Sequence, residues 1–204
     1  MARPIGKSGD PSIRLAMACE EIRERMPERL GGGRFSIGLW VGQSTSPNTQ
    51  EAARKSLKDL ASSKSKENPF VLLKCPWCGA EMGVTEGGKR PATIKGYQVK
   101  RFGRNKDLFR YACSNPSCHF SEEKGASLPI YSIDEDIYRY RPSLVIGTVD
   151  KFAAITTTSE TRNLFGRGEC TCSPPDLIIQ DELHLISGSL GSMPQLRPAP
   201  RNLL

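Results

Sequence analysis

Two cysteine pairs, Cys75-Pro-Trp-Cys78 and Cys113-Ser-Asn-Pro-Ser-Cys118, constrain this chain more than any other feature. The first spacing puts both thiolates on one side of a tight turn, and Gly79 supplies the permissive backbone that such a turn needs. The second pair can close a tetrahedron across a hairpin. The chain holds seven cysteines, an odd number, and four of them fall in these pairs. A reducing compartment with a metal site therefore fits better than a disulfide framework. Zinc is the expected ion, bound by Cys75, Cys78, Cys113 and Cys118 in a zinc ribbon. A closed four-thiolate site leaves no open coordination position, so such a zinc staples the fold and does no catalysis. His119 could replace a thiolate but is expected to stand by. Cys170 and Cys172 lack a second pair and read as unpaired thiols, while Cys19 reads as a small core residue.

Between the knuckles lie Lys89, Arg90, Lys95, Lys100, Arg101, Arg104, Lys106 and Arg110, interleaved with Tyr97, Phe102 and Phe109. Cations alternating with stacking surfaces are what single strands bind, and Lys100, Arg101 and Arg104 are the candidate contacts. The alternative is a solvated basic hairpin whose aromatics only pack the ribbon. The formal net charge of +7 and pI near 9.1 favour a polyanionic partner without deciding for one.

On either side of this insertion the pattern is α/β. Residues 13–26 show a helical period through Leu15, Ala18, Cys19 and Ile22, ended by Pro27. A strand follows within 35–42, and Asn48 or Thr49 can cap a helix over about 50–62. Residues 70–74 read as a strand into the first knuckle, and 128–132 as a strand returning to the main sheet. Residues 134–140 read as a short helix or turn. Next comes the apolar run Ser143-Leu-Val-Ile146, a Gly147-Thr148 turn and the start of a helix, with Asp150 and Lys151 on its surface. A glycine lets a phosphate approach the backbone, and a threonine hydroxyl with free helix-start amides can bond it. Last, Leu177, Ile178 and Ile179 read as a buried parallel strand delivering Asp181 and Glu182 to a sheet edge, where open α/β sheets bind ligands.

Asp181-Glu182-Leu183-His184 resembles motif II of superfamily two helicases, the DEAD/DEAH group. The longer run from Pro175 to Gly188, together with Ile37-Gly-Leu-Trp-Val-Gly42, Pro47-Asn-Thr49 and Thr148-Val-Asp-Lys-Phe152, is similar to the helicase subunit of DISARM anti-phage defence systems. The resemblance implies a partial RecA-like parallel sheet, the P-loop NTPase helicase fold, with an inserted zinc ribbon. It implies that Asp181 binds magnesium, Glu182 orients the water that attacks ATP, and His184 couples the nucleotide to nucleic acid. Gly147 and Thr148 take the place of motif Ib, which grips a sugar-phosphate backbone. The implied partners are nucleic acid, DNA before RNA, and other defence-system subunits.

On this reading, 1–69 and 128–193 belong to a first motor domain, 70–127 is the ribbon, and 194–204 is a disordered tail. A complete two-domain motor does not fit in 204 residues. Gly6-Lys7-Ser8 has the tail of a P-loop but neither the glycine five residues earlier nor a preceding strand, so it is read as coincidence. The fragment is therefore expected to begin after the phosphate-binding half and to hydrolyse no ATP by itself. The alternative from another class is a non-enzymatic zinc-ribbon nucleic-acid-binding module. No apolar run reaches the length of a membrane span or resembles a signal peptide, so the expected location is the cytoplasm.

Overall fold

The computed structural model describes residues 10–42, 45–62, 67–85, 93–102, 106–153, 155, 157–167 and 173–180. Its centre is a parallel sheet of order β6-β1-β7, built from Ile130–Tyr131, Ile37–Trp40 and Leu144–Gly147. Ile37 of β1 pairs with Ile130 on one side and Leu144 on the other. All four residues of β1 are buried, as expected of a central strand covered on both faces. Gly38 fits a close approach there: a Cβ on it would lie 3.1 Å from Pro142 and 3.4 Å from Ile137.

Three helices frame the sheet. In α1, Pro11–Arg25, the Asp10 carboxylate caps the Ser12 N–H, and Pro11 sits in the first turn. The face it buries is not the expected one. Ile13, Ala16, Met17 and Glu20 point inward, whereas Leu15 and Ile22 are 65% and 44% exposed. The reason is electrostatic. Glu20 is fully buried, and its carboxylate binds Arg23, Arg34 and the Phe35 N–H, which fixes the helix rotation. Helix α2, Gln50–Ala61, starts where expected, with Thr49 Oγ1 accepting from Ala52 N–H at 3.1 Å. Helix α3, Asp134–Tyr140, ends at Arg141 in the left-handed region. The short helix α4, Val149–Ala153, follows β7, and a 3-10 helix spans Ser159–Phe165.

The insertion forms two antiparallel hairpins, β2 with β3 (Gly83–Thr85, Thr93–Lys95) and β4 with β5 (Tyr97–Phe102, Lys106–Tyr111). The strand expected over 70–74 is reduced to one bridge, Lys74 with Glu81. Phe70 stacks on Phe109 with centroids 4.4 Å apart, and Tyr97 and Tyr111 pack against both. These rings join Leu72, Leu128, Ile130, Ile13 and Met17 in one continuous core, so ribbon and sheet share their apolar interior.

Leu177, Ile178 and Ile179 depart from expectation. They lie outside any strand and are 74%, 63% and 80% exposed. A short apolar run becomes a strand only where a neighbour pairs with it and covers it, and among the described residues nothing does so here.

Candidate functional site

The four knuckle cysteines converge. Their Sγ atoms all lie within 4.8 Å of one another, with Cys78 and Cys113 at 3.4 Å. Four thiolates about 2.3 Å from one ion stand about 3.8 Å apart, so the cluster has the dimensions of a tetrahedral site. Backbone bonds set this geometry. Gly79, at φ +78°, donates to the Cys75 carbonyl at 2.8 Å, and Cys75 N–H donates to Ala80 at 2.7 Å. Across the cluster, Cys113 N–H donates to Phe120 at 2.9 Å, Cys118 N–H donates to Asn115 at 3.0 Å, and Asn115 N–H reaches Cys113 Sγ at 3.4 Å. Arg14 of α1 ties down the first knuckle through the Pro76 carbonyl.

Cys75, Cys113 and Cys118 are buried and Cys78 is exposed. Burial pushes the Cys75 thiol up to about 11 and raises Cys113 further. For Cys78 burial also acts upward, but hydrogen bonds from the Ala80 N–H and the neighbouring thiols outweigh it and bring the group to about 7. Raised thiols at Cys75 and Cys113 beside one easily ionised thiol at Cys78 suit a soft divalent cation, whose charge then favours deprotonating the rest. This group could hold a metal ion such as zinc. His119 stands outside it, bonded to Glu24 at 2.9 Å with its ring edge-on to Phe120.

The basic hairpin is less available than its composition implies. Tyr97 and Phe109 are core residues, so the packing alternative describes them. Arg110 is buried too, paired with Asp136 at 2.6 Å. Lys100 is partly exposed on β4, opposite Leu108. The Arg101 side chain and all of Lys89, Arg90 and Arg104 lie outside the described residues, as does the Phe102 ring.

At Gly147-Thr148 the glycine and the amide also have roles within the fold. A Cβ on Gly147 would meet Phe152 at 3.0 Å and Trp40 at 3.3 Å, so tight packing by itself gives a reason for a glycine here. The Thr148 amide is not free, because it donates to the Trp40 carbonyl at 3.1 Å. Its hydroxyl is buried, without a partner among the described residues.

Lys151 is not a surface residue. Its Nζ lies 2.5 Å from Asp134 Oδ2 and 3.5 Å from Asn48 Oδ1, and the Lys151 and Asp134 side chains are 12% and 11% exposed. Burial raises the Asp134 pKa, with Lys151 and Tyr138 pulling against it. Asn48, Asp134 and Lys151 each follow a different strand of the parallel sheet, β1, β6 and β7. Sequence analysis named Asn48 and Lys151 in other roles and missed that the three meet, because they are scattered in sequence; the available signal was that each follows a parallel strand.

Asp181, Glu182 and His184 lie outside the described residues, as do Gly6-Lys7-Ser8, Cys170, Cys172 and the tail 194–204. Among the described residues no helix is long and apolar enough to cross a membrane. No protein-family model matches the chain. It is 30% identical over 218 residues to DISARM protein DrmA of Bacillus paralicheniformis, an alignment that covers 90% of this chain. The two are homologous, and the chain spans 18% of the length of that curated relative.

Proposed function

We propose, with homology to DISARM protein DrmA as the premise, that this chain acts in anti-phage defence as the zinc-stapled part of an ATP-dependent DNA helicase or translocase. The carrying observation is that the 30% identity runs through 90% of the chain. The parallel β6-β1-β7 sheet supports a partial RecA-like motor domain made of 1–69 and 128–193, with 70–127 as its ribbon. Cys75, Cys78, Cys113 and Cys118 hold a structural zinc, which rigidifies the insertion and supplies no chemistry to a substrate. Asp181 holds magnesium, Glu182 orients the attacking water, and His184 links nucleotide state to nucleic acid. The phosphates of ATP are cradled by residues outside this chain, in a longer protein or another defence subunit. Lys100, Arg101 and Arg104 and the Gly147-Thr148 turn contact the DNA backbone, in the cytoplasm where phage DNA enters.

Two measurements test this. The pure chain should bind single-stranded DNA with strong salt dependence and hydrolyse no ATP, and a second chain supplying a P-loop should restore turnover. Magnesium-dependent hydrolysis by the pure chain, abolished by Glu182→Gln, would place the phosphate site within these 204 residues. The second reading is a non-enzymatic zinc-ribbon nucleic-acid-binding module. What favours it is that Leu177, Ile178 and Ile179 are exposed and, among the described residues, lie outside any strand.

A further inference from the structure

We infer that Lys151 is a clamp for a nucleic-acid phosphate, held in reserve by Asp134 at the carboxyl edge of the parallel sheet. The inference rests on the proposed nucleic-acid partner and deepens it, because it gives Lys151, read from sequence as a plain surface residue, a contact and a partner that holds it back.

The argument starts from topology. Ligands of open parallel sheets bind beyond the carboxyl ends of the strands, where the loops after different strands meet. Here three such junctions meet in one cluster. Asn48 comes after β1, Asp134 after β6 and Lys151 after β7. The Lys151 ammonium bridges the other two, at 2.5 Å from Asp134 and 3.5 Å from Asn48. Backbone bonds hold the junctions together: Glu135 N–H donates to the Asn48 carbonyl at 3.0 Å, and Thr148 N–H donates to Trp40 at 3.1 Å. The cation is thus placed where the three junctions are tied to one another.

Asp134 can release it. Trp40 Nε1–H donates to the Tyr138 oxygen at 3.2 Å, and an indole N–H can only donate. The Tyr138 hydroxyl proton is therefore directed elsewhere, and Asp134 Oδ2 lies 3.5 Å from that oxygen. When Lys151 turns to a phosphate, Asp134 keeps this second donor and is not stranded. The ammonium carries three donors, of which the long contact to Asn48 is weak, so a phosphate oxygen competes for it directly. The neighbouring Thr148 hydroxyl points to the same place. It is buried without a partner among the described residues, and a buried hydroxyl left unbonded is a cost that a shift of this junction on binding can remove.

A purely structural Lys151-Asp134 pair and a reserved clamp predict opposite results for one substitution. The test is anisotropy titration of a fluorescent single-stranded oligonucleotide with the zinc-loaded full chain over a salt series, with a melting curve for each variant. Lys151→Met should weaken binding about fourfold at 0.15 M salt and flatten the log-log salt slope by about 0.7, one phosphate contact on a single strand. Asp134→Asn, nearly isosteric, should tighten binding by a similar factor and steepen the slope, even where it lowers the melting temperature. The double variant should behave as Lys151→Met. Unchanged or weaker binding by Asp134→Asn overturns the clamp while leaving the proposed function standing. A wild type that binds no oligonucleotide overturns both.

Discussion

Arg110 and Asp136 meet at 2.6 Å with 8% and 5% of their side chains exposed, joining β5 of the ribbon to α3 beside the parallel sheet. The guanidinium lies over the rings of Tyr131 and Tyr140, at 5.4 and 5.1 Å, and Asp136 also accepts from Gln50 of α2 at 2.6 Å. A ribbon that merely hung from the sheet would have no use for such a contact. Asp136→Ala removes the charge partner of a buried cation and should cost about 3–5 kcal/mol in urea unfolding. Replacing both partners with apolar residues, Arg110→Met with Asp136→Leu, should cost much less. Equal losses from the single and the double variant would mean that the pair itself is the main source of stability.

Metal analysis should find about one zinc per chain, matching one four-thiolate site. Cys78→Ser with Cys113→Ser should abolish stoichiometric binding, and retention of a full equivalent would refute the ligand set. Chelation should lower the melting temperature of the whole chain in one transition, because the rings behind the knuckles are continuous with the core that lines β1. A separate early transition confined to the insertion would show that the shared core does not couple them.

Glu20 should shape the acid side of the stability curve. Burial acts to raise its pKa, but Arg23, the Phe35 N–H and Arg34 together hold it below the usual 4.5. A depressed carboxylate contributes stability that is full above its unfolded pKa and lost as pH falls through the folded value. Asp134 and Asp136 act in the opposite sense: burial raises their pKa values, so their contribution is full below the unfolded pKa and lost as pH rises through the folded value. Glu20→Gln should cost about 1–3 kcal/mol at neutral pH and flatten the decline as pH falls below the usual carboxylate range. An unchanged acid decline in the variant would remove Glu20 as its source.

Gly96 joins the two hairpins at φ +82°, and a Cβ there would lie 2.5 Å from Met82 Cγ. Gly96→Ala should cost about 2–4 kcal/mol, since left-handed strain and a core clash add. Gly125, at φ +72° with nothing within 4 Å, meets only the strain, so Gly125→Ala should cost about 1 kcal/mol. Comparable melting temperatures for the two variants would show that the Met82 contact relaxes freely.

The knuckles, the central strand and the start of α2 were legible from residues alone because each depends on chemistry within a few positions: thiol spacing and a permissive glycine, an unbroken apolar run, a threonine before a helix. Similarity carried the defence relationship for the same reason, since the order of such local patterns survives when few contacts can be read. Assembly decided the rest. The periodicity of α1 pointed at Leu15 and Ile22, but Arg34 and the Phe35 amide, distant in sequence, bind Glu20 and turn the other face inward. Tyr97, Phe109 and Arg110 look like a nucleic-acid surface until the sheet and helices close over them. Lys151 looks like any exposed helical lysine until three strands run parallel and bring Asp134 and Asn48 to it. Short-range geometry is written in neighbouring residues, whereas burial and pairing depend on which distant segment arrives, and that choice is made by the packed chain as a whole.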